Sequence, residues 1–467
     1  MVPATTMTTN PAVKAGVWQW VALGSVLLAT FMGLLDVSIV AVAVPSVQSG
    51  LGASFGEAQF VAAGYTLTYA VGLVTGGRLG DLHGRRRTFL VGVTLFILTS
   101  MACAVAPSAP VLIGARMLQG LAAAVMLPQV LSVIQSSFTG AVRAAALGCY
   151  GTTIGLASIT GQIVGGALLA WNPMGLGWRS TFLVNVPIGL LAAVVGAVTV
   201  PESRGVRARL DLGGAGLLGL ALTGLLLPPV LEWPAWGWPV LAAGAGLLVV
   251  FARYERRQAS PLVPMRLLAQ WPVRHGLFTV LAFYTGNAGF FLLLAYHLQA
   301  GLGLSPLGSG LAFAPLGTGF ALTSLAAKRR TTLVPGTVLM AVSLAAVLGI
   351  VLAAPEGAQA HWLPAALAVS GLGEGLVAAP LIGTVLAGVG QDDTGAASGI
   401  LLTATQIANA AGVALIGGVF AGTLGATPGT SGTSFSAYTH ATAIATGAVL
   451  VLAVLTGILA RALGSTR

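Results

Sequence analysis

The chain has 467 residues, 56% of them hydrophobic and only 7% charged, with a mean hydropathy of +0.93. Soluble domains carry roughly 25% charged residues, so a soluble fold is excluded. The formal charge of +10 does not signal nucleic-acid binding either, because the basic residues are scattered over short segments between apolar runs rather than gathered on one face.

A helix needs about 20 apolar residues to cross the hydrocarbon layer. In chain order such runs fall near 17–46, 58–79, 88–106, 110–136, 144–170, 179–200, 211–231, 237–254, 274–298, 306–327, 335–354, 362–390, 395–423 and 441–461. They predict an all-α membrane protein of fourteen spans embedded in the lipid bilayer. The first run is longer than a signal-peptide core and lacks a strongly basic leader, so it is expected to be a retained helix. Cys103 and Cys149 both lie inside runs, which argues against a disulfide framework or a metal cluster.

Every second connection is basic. Arg85, Arg86, Arg87, Arg143, Arg204, Arg207, Arg209, Arg253, Arg256, Arg257, Lys328, Arg329 and Arg330 all fall on one side if the spans alternate. The bias predicts a multi-pass protein of the cell membrane with both termini in the cytoplasm.

The chain also repeats itself. Gly148 and Gly161 in the fifth run are echoed at the same spacing by Gly399 and Gly412 in the thirteenth, and both runs continue into a glycine pair, Gly165-Gly166 and Gly417-Gly418. The Arg85-Arg86-Arg87 connection is matched by Lys328-Arg329-Arg330. Two related six-helix bundles are expected, 1–205 and 273–467, with an inserted helix pair and linker at 206–272.

The segment Gly77-Arg78-Leu79-Gly80-Asp81-Leu82-His83-Gly84-Arg85-Arg86-Arg87, read as the loop between the second and third spans, resembles the signature loop of the major facilitator superfamily. Leu35-Asp36-Val37-Ser38-Ile39-Val40 through Pro45, Arg116 with Gln119-Gly120 and Pro128, and Trp178-Arg179 with Phe182, Asn185, Pro187 and Gly189 resemble its fourteen-helix drug:proton antiporter branch, the EmrB/QacA type. Gln299, Gly303, Ser305-Pro306, Pro315, Ser398-Gly399 and Gln406 extend the resemblance through the second half. Two positions depart from the pattern: Gln162 follows Gly161 where a proline is usual, and Ala41 stands where an asparagine is usual.

Ionisable side chains at bilayer depth cost at least about 2.5–3.5 kcal/mol, so each needs a reason. Asp36 is a candidate proton carrier or, alternatively, a structural acid paired with a neighbouring helix. Arg116 cannot lose its charge; the resemblance implies that it tunes a nearby carboxylate, and the alternative is an arginine snorkelling to the outer interface. Glu374, within Gly371-Leu372-Gly373-Glu374-Gly375, is a candidate second proton site or cationic-substrate site, or else half of a buried structural pair.

The resemblance further implies that Asp81 pairs with arginines such as Arg143 at the cytoplasmic end, in one conformation only, so that Gly77, Asp81, Gly84, Arg85, Arg86 and Arg143 act in gating. Arg85, Arg86 and Arg87 have topology as an alternative role. Gly148, Gly151, Gly155, Gly161, Gly165 and Gly166 form a small-residue stripe for close helix packing. Tyr65, Tyr69, Gln162, Tyr284, Asn287, Tyr296, Gln406 and Asn409 are candidates to line a substrate cavity.

The only lysines, Lys14 and Lys328, sit in no phosphate-binding loop, and no hydrolase or metal motif occurs, so an enzyme and a primary pump are not expected. The expected function is proton-coupled efflux of hydrophobic or cationic drugs and antibiotics by alternating access. The chain is expected to act as a monomer without cofactors. The alternatives are a dedicated exporter of one endogenous metabolite, and a transporter-fold receptor without turnover.

Overall fold

The structure is a computed structural model. It describes residues 16–203, 211–230, 234–258, 261–263, 265–326, 332–389, 394–425 and 434–465. Arg204, Arg207, Arg209, Lys328, Arg329 and Arg330 lie outside the described residues.

Every described element is helical. The first half contains α1 (Val17–Leu51), α2 (Phe55–His83), α3 (Arg85–Ala104), α4 (Ala109–Ser137), α5 (Gly140–Trp171), and α6 (Ser180–Leu183) continuing into α7 (Asn185–Thr199). Next come α8 (Leu212–Val230), α9 (Gly237–Glu255) and the short α10 (Met265–Ala269). The rest comprises α11 (Trp271–Tyr296), α12 (Pro306–Ala326), α13 (Leu333–Ala353), α14 (Glu356–Ala387), α15 (Thr394–Leu424) and α16 (Phe435–Ser465).

A helix therefore lies at each predicted segment. Among the described residues, ten are long and apolar enough to cross a membrane, and α2 makes an eleventh if its two parts, bent by 49°, count as one. The predicted boundaries fall short because polar ends stay helical: α1 has 35 residues, about 52 Å at 1.5 Å per residue, well beyond a hydrocarbon layer of about 30 Å.

Short, strongly capped connections make neighbouring helices antiparallel. Gly52 ends α1 in the left-handed region (φ 61°), and Ser54 starts α2 with a capping box, its Oγ accepting from Glu57 N–H while its own N–H donates to the Glu57 carboxylate. Gly84 alone joins α2 to α3, at φ 101°, a conformation that a side chain would strain. The expected signature loop is thus corrected. Residues 77–83 are the last turns of α2 and residues 85–87 the first turn of α3.

The packing pairs recur in the two halves. In the first, α1 packs on α5 and α7, α2 and α3 pack on α4, and α3 packs on α7. In the second, α11 packs on α15 and α16, α12 and α13 pack on α14, and α13 packs on α16. The halves meet through two matching contacts, α5 on α12 and α2 on α15. Helix α8 packs on α9 and also reaches α2 and α15.

The buried apolar clusters show where the halves are joined. One large cluster unites both halves at the end where α1 finishes and α2 begins, with Val44, Phe55 and Phe182 from one side and Phe290, Tyr296 and Phe420 from the other. Towards the opposite end the clusters separate, one confined to residues 22–200 and another to residues 280–463. A further cluster connects α2 to α15 by way of α8.

Candidate functional site

Between the joined end and the separated end of the first half lies a fully buried polar network. Asp36, near the middle of α1, has 0% exposure, and Arg116 of α4 has 1%. Arg116 Nη1 donates to Asp36 Oδ2 at 2.5 Å and to Gln119 Oε1 at 2.7 Å, while its Nε donates to the Val61 carbonyl at 3.0 Å. The other carboxylate oxygen, Asp36 Oδ1, accepts from Gln119 Nε2 at 3.0 Å and Asn185 Nδ2 at 2.7 Å. Ser100 of α3 accepts from both amides, at 2.7 and 3.2 Å.

The guanidinium is also covered by aromatic faces, 4.5 Å from the Tyr65 ring centre and 5.7 Å from that of Phe182. Both oxygens of the acid are therefore hydrogen-bonded and two aromatic rings lie against the base, as a buried ion pair requires. The interfacial alternative for Arg116 is corrected: the side chain points into the bundle. Gln119 reaches the pair because it stands one turn after Arg116 on the same face of α4. Asn185 and Ser100 were not among the predicted site residues. The resemblance marked Asn185, but nothing in sequence spacing marks Ser100.

Glu374 sits elsewhere. It is 4% exposed on α14, its Oε1 accepts from Ser370 Oγ at 3.3 Å, and Asn287 of α11 faces it. A small cavity of about 10 Å³, the room one water needs, opens beside it between α11, α13, α14 and α16. No arginine, lysine or histidine lines that cavity.

At the separated end, Asp81 pairs with Arg85 one turn away, at 3.2 Å. Arg143 is engaged with the carbonyls of Phe138 and Gln135. The expected Asp81–Arg143 contact is absent from this conformation, because each partner is satisfied within its own corner. A residue missed by sequence reasoning completes the corner: Glu202, just after α7, accepts from Arg86 N–H at 3.2 Å and lies against Gly84, while Ser203 accepts from Arg85 N–H at 2.8 Å. Close approach of α2 to α4 is made at glycines other than Gly77. A Cβ at Gly77 would meet Pro128 at an ordinary 3.7 Å, whereas one at Gly76 would collide with the Ala124 carbonyl and one at Gly80 with Gln129.

The α5 stripe is shorter than predicted. Gly161 and Gly165 lie against α1 at Leu35, Ser38 and Ile39, and Gly166 against α12 at Pro306 and Leu307, but Gly148 and Gly151 have open space beside them. The surroundings of Gly155 lie outside the described residues.

The eight candidate cavity residues do not form one group. Tyr65 belongs to the Arg116 site, with Tyr69 next to it at 6.1 Å between ring centres. Tyr284 and Asn287 belong to the Glu374 side, with Tyr284 against Phe283 at 4.8 Å. Gln162 is buried beside Gly310, where α5 meets α12, and Gln406 and Asn409 are half-buried on α15. Tyr296 is corrected outright. It is buried in the cluster that joins the halves, where its hydroxyl donates to Gln48 Oε1 at 2.6 Å. Gln299, in the π-helical turn His297–Gly301, adds a second bond between halves, donating to the Val42 carbonyl at 2.9 Å.

Two matched bundles of apolar helices, joined at one end and carrying an ion pair at mid-depth, define a membrane transporter rather than an enzyme. The sequence profile of the Major Facilitator Superfamily matches residues 26–413, and the chain belongs to that family. Several of its relatives are named for export of, or resistance to, antibiotics and drugs. It is 40% identical over 425 residues to the probable actinorhodin transporter of Streptomyces coelicolor, covering 87% of this chain and 73% of that protein. It is 37% identical to the puromycin resistance protein pur8 of Streptomyces alboniger, covering 94% and 91%. Among solved structures, a bacterial homolog of the human lysosomal transporter Spinster, in an inward-facing and occupied conformation, superimposes with a TM-score of 0.69 over 97% of this chain and 98% of that one. The identity is 16%, a likeness of fold alone.

Proposed function

We propose that this chain exports hydrophobic or cationic drugs and antibiotics in exchange for protons, by alternating access between bundles 1–205 and 273–467, with 206–272 as an inserted pair. It does so as a monomer of the fourteen-helix EmrB/QacA branch, in the plasma membrane with both termini in the cytoplasm. The helix at each predicted segment and the recurring packing pairs support this arrangement. The joined end is then the outer end, and the conformation is inward-facing.

The observation that carries proton coupling is the Asp36–Arg116 pair. Its hydrogen bonds tie α1, α2, α3, α4 and α7 together at mid-depth. Asp36 can take a proton only when Arg116 or the amides withdraw, so protonation and helix movement are one event. At the inner end, Asp81 exchanges Arg85 for Arg143 as the bundles close there. Tyr65, Tyr69, Gln162, Tyr284, Gln406 and Asn409 contribute polar and aromatic groups along the substrate path, and Asn287 stands off it, beside Glu374.

The test is transport by purified protein in liposomes loaded with ethidium. Efflux should collapse when the pH gradient is removed, and Asp36→Asn should abolish gradient-driven efflux. Movement indifferent to the gradient would make the protein a facilitator.

A second reading, export of a single natural product, is favoured by relatives that are named for one compound each, the actinorhodin transporter and the cephamycin export protein CmcT. A resistance profile of a pump-deficient host carrying this protein separates the two. Protection against many lipophilic cations supports the broad reading, and protection against one chemical class supports the narrow one.

A further inference from the structure

The repeat fixes which positions of the two halves correspond. Gly120 and Gly371 each lie against a carbonyl of the neighbouring helix, Tyr65 and Leu316 respectively, and Gly161 and Gly412 each lie against the first helix of their bundle. Both pairs are the same distance apart in sequence, since 371 − 120 and 412 − 161 both equal 251. At the second pair, the Leu35 carbonyl and Ile39 N–H answer to the Thr285 carbonyl and Gly289 N–H. Asp36 therefore corresponds to Gly286, beside Asn287, and Gln119 corresponds to Ser370. Arg116 corresponds to Leu367, which is fully buried in the apolar cluster.

Gly286, Asn287 and Ser370 all line the cavity beside Glu374. The cavity is thus the second half's version of the Asp36 site, with a glycine at the acid's position on α11, an acid instead on α14 one turn after Ser370, and a leucine at the base's position. Its other walls are apolar, including Phe283 and Phe290 of α11 and Met340 and Leu344 of α13.

We infer that this cavity is a second proton-binding site, independent of Asp36, in which Glu374 takes up and releases one proton per transport cycle through a single water. This rests on the proton-coupled reading above. Two observations choose a proton over a substrate cation. The space holds about one water, far less than a drug's ammonium group with its substituents needs. Moreover, no arginine, lysine or histidine lines the cavity, so an ionised Glu374 would stand buried without a compensating cation there.

Tyr284 is the one titratable side chain facing Glu374 among the described residues. The described parts of α12, α13 and α15 carry no ionisable side chain, and Arg461 and His440 of α16 are exposed, five or more residues from its lining positions. On uptake an O–H bond forms at a Glu374 carboxylate oxygen and one breaks in hydronium, leaving the water; release reverses this. Ser370 and Asn287 donate to the ionised form when it exists.

The experiment is the proton-to-substrate ratio in liposomes, read from the pH gradient that just balances an ethidium gradient. Glu374→Gln should lower the ratio by one proton while leaving efflux measurable, and Asn287→Leu should move the pH midpoint of efflux upward. As a readout independent of turnover, infrared difference spectra between acid and alkaline pH should show a carboxylic C=O band in the parent protein that is missing from Glu374→Gln. An unchanged ratio together with an unchanged band overturns the second site and leaves proton coupling standing. A parent protein that moves no protons overturns both.

Discussion

Asp36 and Glu374 occupy corresponding regions of the two halves, and their surroundings differ in one decisive respect. Asp36 meets a guanidinium and two amide donors, whereas Glu374 meets a serine, an asparagine and an apolar cavity. One repeat has thus been specialised into a tightly bonded ion pair and the other into a solitary acid. Pairing makes the first acid expensive to disturb and structurally central. Solitude leaves the second without a counter-ion to displace.

The largest effect should come from breaking the pair on one side. Arg116→Leu leaves a buried carboxylate without its base and should cost about 3–5 kcal/mol, read as a lowered unfolding temperature in detergent. Replacing both partners by apolar residues, Asp36→Leu with Arg116→Met, should recover most of that stability but no gradient-driven efflux. A double variant as unstable as Arg116→Leu alone would mean that the pair is not a self-contained unit.

Next in size, Gln119→Ala removes donors from Asp36 and Ser100 and should cost about 1–3 kcal/mol, and Ser370→Ala at the corresponding position should cost clearly less. Equal losses would erase the distinction between the two sites. Glu374→Gln should leave the unfolding temperature closer to the parent's than Asp36→Asn does, since Glu374 has no guanidinium partner to lose.

The smallest effect concerns the inserted pair. Asp211 caps α8, its Oδ1 accepting from Gly214 N–H at 2.8 Å and from the Tyr254 hydroxyl at 3.1 Å. Burial pushes its carboxyl up, but hydrogen bonds from Gly214, Glu255 and Tyr254 and the charge of Arg78 outweigh it, holding the group below the ordinary carboxylate range. The part of its stabilising contribution that comes from Gly214, Tyr254 and Arg78 is lost as pH falls through the lower folded value. Asp211→Ala should cost about 1 kcal/mol at neutral pH and flatten this acid limb of the stability profile.

Sequence alone placed the helices well, because long apolar runs have few alternatives in a chain this poor in charge. It also singled out Asp36, Arg116 and Glu374, since an ionisable residue inside such a run is conspicuous. Their partners were harder to read. Asp36 and Arg116 are 80 residues apart and Asp36 and Asn185 are 149 apart, and only packing brings α1, α4 and α7 to one point. The signature segment misled in a different way. Its glycines read as a loop, yet Gly80, like Gly76 just before the segment, serves close approach of α2 to α4, and only Gly84 breaks the helix. Tyr296 resembled a cavity residue because an aromatic in a polar setting has the same appearance whether it lines a path or seals it.

The bonded pair of Asp36 and Arg116 has an electrical consequence. Opposite charges 2.5 Å apart that travel together carry no net charge through the membrane field. An elementary charge crossing the full field is worth about 2.3 kcal/mol per 100 mV. While the pair stays closed, the first half is therefore silent to voltage. Any dependence of export on membrane potential must then come from charges that move unaccompanied: the substrate's own, or protons exchanged once the pair opens or at the proposed second site.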